Sequence, residues 1–146
     1  MEATADPIEM LLGEDNQVDV HLWQRYLREA PFPAHVHVVS DGAAVLAFLQ
    51  QQAPYTEVPT PDLILLDLYL LKRSGWEVLE WIKATPAVAA IPVVMLTDAL
   101  TPFDKRQRDR LRPTWCLIKP ATLDEYREGV TILAEIVRRQ GERLRA

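Results

Sequence analysis

The chain has 146 residues, the size of one ordinary domain, and 49% of them are apolar, which allows a sizeable core and excludes a disordered chain. A net charge of −5 and a pI near 5.2 give no reason to expect nucleic-acid binding and suit a soluble cytoplasmic protein. The single cysteine, Cys116, excludes an internal disulfide framework, the N-terminus lacks the basic start and apolar core of a signal peptide, and no apolar run approaches the roughly 18 residues of a membrane span.

Apolar runs alternate with amphipathic segments from the start of the chain. A first strand is predicted at Ile8–Leu12, and a helix with apolar residues at helical spacing follows over Asn16–Glu29. His35–Val39 predicts a second strand, and Gly42 lies at the start of a second helix. Three prolines then mark a loop before the next strand.

The middle of the chain repeats this alternation. Leu63–Leu66 predicts the third strand, Gly75 opens the third helix, and Ile91–Leu96 predicts the fourth strand. The segment that follows is long enough for a helix but has few apolar anchors, mainly Phe103 and Leu111. We therefore expect this fourth helix to be weakly anchored to the sheet and mobile.

The last part of the chain predicts a strand and a long helix. Trp115–Ile118 is the fifth strand, and Thr122 with Glu125 forms a capping box for the helix that follows. Ile132 and Ile136 make the apolar face of that helix wider than packing against a sheet requires. The extra width favours homodimerisation through this helix, with deeper burial in the core as a close alternative.

Five apolar strands that alternate with five helices predict an α/β fold with a parallel sheet covered on both faces. Strands that are apolar throughout, rather than at every second residue, indicate burial on both sides. A flavodoxin-like, doubly wound order of the five strands is expected, and the ligand site of such folds lies beyond the carboxyl ends of the strands.

Polar residues follow four of the predicted strands at that edge. They are Glu14 and Asp15 after the first strand, Asp67 after the third, Thr97 after the fourth and Lys119 after the fifth. Three carboxylates close together repel one another unless a cation neutralises them, and a hard divalent ion such as Mg²⁺ suits oxygen ligands. The lysine offers a point charge, and the threonine a hydrogen-bond donor, to a phosphate oxygen.

These residues resemble the receiver domain of two-component response regulators. The resemblance rests on four motifs in order: EDN at Glu14–Asn16, PDLILLDL at Pro61–Leu68, IPVVMLT at Ile91–Thr97 and IKP at Ile118–Pro120. The separations between Asp67, Thr97 and Lys119 are also similar to those of receivers. The resemblance covers residues from about 8 to about 139, and we expect residues 1–146 to form a single receiver domain.

The resemblance implies a role for each residue at the strand ends. Asp67 is the implied phosphoacceptor, which takes a phosphoryl group from a sensor histidine kinase. Lys119 contacts a phosphoryl oxygen and pairs with the carboxylates before phosphorylation, while Thr97 moves towards the phosphoryl group afterwards.

The resemblance also implies a set of ligands for Mg²⁺. Asp15 and Asp67 bind the ion, Glu14 acts through a water molecule, and the backbone carbonyl of Tyr69 supplies a further oxygen. The ion and the lysine together neutralise charge on the transferring phosphoryl group.

Several positions depart from the usual receiver pattern. Cys116 stands where receivers commonly have an aromatic residue that reports phosphorylation, so that relay is not expected here. Asp98 places a charge beside Thr97, which predicts slow phosphorylation by small anionic donors such as acetyl phosphate. The bulky Tyr69 and the apolar Ala99 predict a long-lived phosphoryl group, because receivers tune hydrolysis at these two positions.

The proline-rich insertion before the third strand and the C-terminal extension resemble the single-domain regulators encoded with bacterial phytochrome kinases. The resemblance implies a bacteriophytochrome as the partner kinase; a chemotaxis-type receiver or a phosphorelay intermediate is the alternative within the family. A phosphatase of the haloacid-dehalogenase kind is the enzyme alternative, but Tyr69 stands where its general acid is needed. A pseudo-receiver, which would only bind partners, is disfavoured because all five key residues are present. The resemblance as a whole implies a signalling protein rather than an enzyme.

Overall fold

The computed structural model describes the backbone of residues 6–145 and the side chains of residues 6–141, over which strands and helices alternate. The strands are β1 (Ile8–Gly13), β2 (Ala34–Val39), β3 (Leu63–Asp67), β4 (Val93–Thr97) and β5 (Trp115–Ile118). The helices are α1 (Gln17–Leu27), α2 (Gly42–Leu49), α3 (Gly75–Ala84), α4 (Pro102–Leu111) and α5 (Leu123–Arg145). Residues 1–5, which begin the segment where no signal peptide is expected, and residue 146 of the predicted domain lie outside the described residues.

The five strands form one parallel sheet in the order β2-β1-β3-β4-β5, which confirms the predicted flavodoxin-like fold. The register brings the carboxyl ends of the strands level with one another: Gly13 of β1 lies opposite Leu66 of β3, and Thr97 of β4 opposite Ile118 of β5. The residues that follow β1, β3, β4 and β5 therefore meet at one edge of the sheet.

Alternate residues of each central strand enter the cores on opposite faces of the sheet. Ile64 and Leu66 of β3 pack with α2, α3 and the end of α4. Leu63 and Leu65 pack on the other face with α1 and α5. Burial on both faces is the physical reason why this strand is apolar throughout.

The start of β4 and the anchoring of α4 differ from the prediction. β4 begins at Val93 rather than Ile91, because the Ile91 N–H donates to the Val88 carbonyl in the preceding turn and proline at position 92 has no N–H to give to a sheet. The prediction of Phe103 as an apolar anchor is wrong: its side chain is exposed, and the buried residue of the first turn is Asp104. Leu111 is buried as expected.

Helix starts are fixed by side chains that accept hydrogen bonds from the first turn. Thr101 and Asp104 form a reciprocal capping box at α4. At α5 the Thr122 hydroxyl accepts from the Glu125 N–H as predicted, but the Glu125 carboxylate contacts the Thr122 hydroxyl itself.

The two edge strands of the sheet differ in polarity. On β2, His35 and His37 contact the carboxylate of Glu9 on the neighbouring β1, at 3.0 and 2.7 Å. On β5, Trp115 and Ile118 are each 51% exposed. The β2 edge therefore has a polar network, whereas the β5 edge exposes large apolar side chains.

Candidate functional site

Asp67 is the last residue of β3, and its carboxylate is buried at the carboxyl edge of the sheet. Its Oδ2 lies 2.8 Å from Nζ of Lys119, and its Oδ1 accepts a hydrogen bond from the Tyr69 N–H at 3.0 Å. A charged group at the end of a core strand is tolerated here because both oxygens have partners.

Gly75 allows the loop after Asp67 to fold back on the end of β3. The Gly75 N–H donates to the Leu68 carbonyl, and a Cβ at position 75 would lie 2.7 Å from the Asp67 carbonyl oxygen and 2.9 Å from Cα of Leu68. Only glycine permits so close an approach of backbone to backbone. The glycine therefore fixes the path of the chain around the carboxylate.

Three carboxylates meet at the centre of the site. One oxygen each from Glu14, Asp15 and Asp67 lies within 4.8 Å of the other two, with Glu14 and Asp67 buried and Asp15 exposed. Such a set of oxygens fits a hard divalent cation.

The ionised form of Glu14 is destabilised in this cluster. Burial, together with the charge of Asp67, raises its pKa to about 7, against the opposing effects of the Asn16 N–H and Lys119. Within the part of the chain that the structure describes, Glu14 Oε2 accepts no hydrogen bond, although Lys119 Nζ lies 3.1 Å away. A buried carboxylate oxygen without a hydrogen bond suits a position beside a cation.

Lys119 links the acidic residues. Besides Asp67 and Glu14, its Nζ lies 3.5 Å from Oδ2 of Asp19, a residue that the sequence reasoning missed. Burial lowers the pKa of Lys119, but the hydrogen bond and charge of Asp67, with Glu14, outweigh it and raise the pKa, so the amine is a cation. The available sign of Asp19 in the sequence is its place in the first turn of the helix that follows Asp15.

Thr97 reaches the same edge of the sheet, but its hydroxyl points into its own loop. The residue is fully buried, and Oγ1 donates to the Ala99 carbonyl at 2.9 Å. The sequence placed Thr97 correctly at the edge but could not give this partner.

Tyr69 lies at the rim of the site, with 59% of the residue exposed. Its phenol donates to Oδ2 of Asp104 at 3.1 Å, and this bond, with the charges of Asp67 and Asp98, raises the pKa of Tyr69. Asp104 was missed as a site residue, although Thr101, Pro102 and Asp104 together carry the spacing of a capped helix start.

Fold and site together define a class of protein: a parallel α/β domain with a cluster of carboxylates and a lysine at the carboxyl edge of its sheet. The family model of the response regulator receiver domain matches residues 10–141. The chain therefore belongs to the response regulator receiver domains, which confirms the resemblance seen in the sequence. Members of this family are signalling proteins that interact with sensor histidine kinases.

Two curated relatives have substantial identity with the chain. The response regulator Rcp1 of Synechocystis is 46% identical over 93 residues, which cover 64% of this chain and 63% of Rcp1. The match thus spans less than two thirds of that relative. A probable methanogenesis regulatory protein, FilR2 of Methanothrix harundinacea, is 33% identical over 130 residues, which cover 89% of this chain and 83% of the relative.

Two solved structures of response regulators share the fold of this chain and show which receivers it resembles. The phosphorylated cyanobacterial phytochrome response regulator RcpA has a TM-score of 0.82 at 35% identity, covering 89% of this chain and 93% of RcpA. The Mn²⁺-bound form of Rcp1 has a TM-score of 0.78 at 39% identity, covering 85% of this chain and 89% of Rcp1. The chain is thus related to phytochrome response regulators.

Among the helices that the structure describes, none has both the length and the apolar character needed to cross a membrane.

Proposed function

We propose that this receiver accepts a phosphoryl group on Asp67 from the phosphohistidine of a sensor histidine kinase. The observation that carries the proposal is the contact of 2.8 Å between Lys119 and Asp67 within a cluster that also includes the carboxylates of Glu14 and Asp15. A lysine and an acidic cluster around one buried carboxylate suit phosphoryl transfer, in which catalysis is mainly positioning and electrostatic stabilisation.

In the proposed step, an oxygen of Asp67 forms a bond to phosphorus while the bond from phosphorus to the kinase imidazole breaks. The electron pair of the broken bond leaves with the imidazole nitrogen, and the product is an acyl phosphate on Asp67. Lys119 exchanges part of its contact with the carboxylate for a phosphoryl oxygen. Thr97 leaves the Ala99 carbonyl and donates its hydroxyl to another phosphoryl oxygen.

Asp15, Asp67 and the backbone carbonyl of Tyr69 are the proposed ligands of Mg²⁺, with Glu14 acting through water. The unpaired oxygen of Glu14 and the three converging carboxylates support a divalent cation here, and the Mn²⁺-bound form of Rcp1 supports the same for a relative. When bound, the ion neutralises charge on the transferring phosphoryl group.

The direct test is transfer of radiolabelled phosphate from a phosphorylated histidine kinase, in Mg²⁺ and in EDTA. We expect label on the wild-type chain only with the metal, and none on Asp67→Asn, which keeps the shape of the side chain but lacks the nucleophilic oxygen. Asp62→Asn, beyond the other end of β3, is the matched control and retains labelling. Equal labelling of Asp67→Asn and the wild type contradicts the proposal.

The proposed partner is a bacteriophytochrome, and the proposed location is the cytoplasm. The support is the relationship to Rcp1 and RcpA, the second of which is described as a phytochrome response regulator. Phosphotransfer profiling against all histidine kinases of the source organism tests the partner and separates it from a chemotaxis kinase. Preference for a kinase without a phytochrome module contradicts this part.

We further propose a homodimer through α5 and the adjacent strand β5. Ile132 and Ile136 on α5 are only partly buried, and they line one groove with the exposed Trp115. Removing such apolar area from water favours association.

A further inference from the structure

Asp104 is a buried carboxylate at the N-terminus of α4 that has more hydrogen-bond partners than a helix cap requires. Only 1% of the residue is exposed. The capping box accounts for two bonds, from the Thr101 N–H to Oδ2 at 3.0 Å and from the Asp104 N–H to the Thr101 hydroxyl at 3.1 Å. Two side chains from outside α4 also donate to the carboxylate: Trp76 through Nε1 at 2.9 Å, and Tyr69 through its phenol at 3.1 Å.

The three hydrogen bonds that the carboxylate accepts make Asp104 an ionised acceptor in the interior. Burial acts to raise its pKa, but the hydrogen bonds from Trp76, Thr101 and Tyr69 outweigh burial and lower the pKa. Loss of one donor leaves a buried charge with incomplete compensation, so the remaining partners must rearrange. The positions of Tyr69, Trp76 and the start of α4 are therefore linked through one carboxylate.

Tyr69 connects this carboxylate to the phosphoacceptor. Its backbone N–H donates to Oδ1 of Asp67 at 3.0 Å, while its phenol donates to Asp104. The residue thus holds Asp67 at one end and α4 at the other. A change in the charge or position of the Asp67 oxygens acts directly on the Tyr69 backbone, and the phenol extends that change to α4.

The loop between β4 and α4 is held at each end by a separate hydrogen bond. At its start the Thr97 hydroxyl donates to the Ala99 carbonyl, and at its end the Thr101 N–H donates to Asp104. Loss of the bond between Thr97 and the Ala99 carbonyl therefore frees only the first end of this loop. How far α4 then moves depends on the hydrogen bonds to Asp104.

We propose that Asp104 is a positioning residue that holds the Tyr69 ring at the rim of the site and passes the state of Asp67 to α4 through the Tyr69 phenol. This inference rests on the proposed function, because it needs Asp67 to bind a phosphoryl group. Trp76 shares the carboxylate and so reports on the link.

The test uses the indole N–H resonances of the full chain labelled with ¹⁵N, with Trp76→Phe to assign the Trp76 signal. Mg²⁺ and beryllofluoride serve as the mimic of the phosphoryl state. We expect the Trp76 indole resonance of the wild type to shift on addition of the mimic, and Tyr69→Phe, which removes only the phenol oxygen, to lose most of that shift while still binding the mimic. Tyr55→Phe removes a distant phenol and retains the shift.

Asp104→Asn completes the experiment. It keeps the shape of the side chain, and thermal unfolding checks that it is folded. We expect Tyr69→Phe to have no further effect on the Trp76 shift in the Asp104→Asn background, because both changes remove the same link. A full Trp76 shift in Tyr69→Phe with the mimic bound overturns the inference alone. A wild type that binds the mimic no better than Asp67→Asn overturns the proposed function, and the inference with it.

Discussion

At the scale of single residues, the candidate site brings together charges whose burial is unfavourable for stability. Glu14 is the clearest case, because its carboxylate is buried beside Asp67 and one of its oxygens has no hydrogen bond within the described chain. Lys119 offsets part of the repulsion by contacting both groups. The sequence predicted which residues meet here, since the ends of parallel strands share an edge. It could not predict how the protons are shared, which depends on burial.

The stability of the protein in EDTA is predicted to depend on Glu14 and pH. The pKa of Glu14 is about 7 in the folded state and 4.5 as the ordinary value, so the folded state binds more protons between these values. The contribution of Glu14 to stability is therefore present below about pH 4.5 and is lost as pH rises through 7. We expect Glu14→Gln to be more stable than the wild type at about pH 8, by on the order of 3 kcal/mol, and the advantage to shrink towards pH 5.

Urea unfolding of both proteins at several pH values measures this difference, and Glu57→Gln on the exposed loop before β3 is the control. Addition of Mg²⁺ stabilises the wild type more than Glu14→Gln, because only the wild type retains the full set of carboxylates. A difference between the two proteins that does not change with pH contradicts the prediction.

Tyr69 is predicted to lengthen the life of the phosphoryl group on Asp67. Its ring lies at the rim of the site, and Ala99 offers no polar group to position an attacking water molecule. We expect Tyr69→Asn to lose label faster than the wild type, with Tyr69→Phe, which keeps the ring, in between. Decay of labelled protein after removal of the kinase gives the rates, and equal decay of the wild type and Tyr69→Asn rejects the idea.

Asp98 is predicted to slow phosphorylation by acetyl phosphate. The residue is exposed beside Thr97, and its charge already acts on the Tyr69 phenol at the rim. We expect Asp98→Ala to be labelled faster by acetyl phosphate because one repulsive charge is removed, and Asp109→Ala, on the exposed part of α4, to be unchanged. If uptake by the wild type is rapid and Asp98→Ala matches it, the charge has no such role.

At the scale of elements, α4 shows where sequence patterns stop being informative. Its apolar content predicted weak anchoring, and Phe103 was the expected contact, yet Phe103 is exposed and Asp104 takes its place in the interior. An acid is not expected inside a protein unless distant donors meet it. The donors Tyr69 and Trp76 lie far away in sequence, so only the folded chain reveals them. The bounds of the strands were easier to predict, because an apolar run is a local feature of the sequence. The main error was at the start of β4, where Pro92 delays pairing with the sheet.

Hydrogen exchange is predicted to distinguish α4 from the other helices. Apart from Leu111, its anchoring in the interior is polar, so its amides should exchange faster than those of α3, which buries Trp76, Val78, Leu79 and Ile82. Asp104→Asn should increase exchange in α4 more than in α3. Exchange in α4 as slow as in the buried part of α5 contradicts the expected mobility.

At the scale of the whole molecule, the candidate site and the apolar groove lie in different places. Asp67 and the charged residues around it lie at the carboxyl edge of the sheet, while the groove with Trp115, Ile132 and Ile136 lies towards the start of β5 and the later turns of α5. The wide apolar stripe was visible in the sequence. Whether it serves the core or a partner was not, because that depends on how α5 lies on the sheet, and Ile132 and Ile136 are in fact only partly buried.

Dimerisation is predicted to depend on this groove. We expect Trp115→Ser combined with Ile132→Glu to shift the mass measured by light scattering after size exclusion from dimer to monomer, because apolar area is lost and a charge would be buried. Val18→Ser removes an exposed apolar side chain from α1, away from the groove, and should leave the mass unchanged. A wild type that is monomeric at high concentration contradicts the proposal.

The unequal polarity of the two sheet edges limits how far such association can extend. Growth into a fibre requires head-to-tail association through two different surfaces on every copy, because each added copy then leaves one surface free to bind the next. Here the contacts of His35 and His37 with Glu9 make the β2 edge unfavourable for pairing with another strand. The exposed side chains of Trp115 and Ile118 make the β5 edge favourable for association. In the proposed dimer, each of the two copies would bury its apolar β5 edge against the other, so neither would leave that edge open to a third copy.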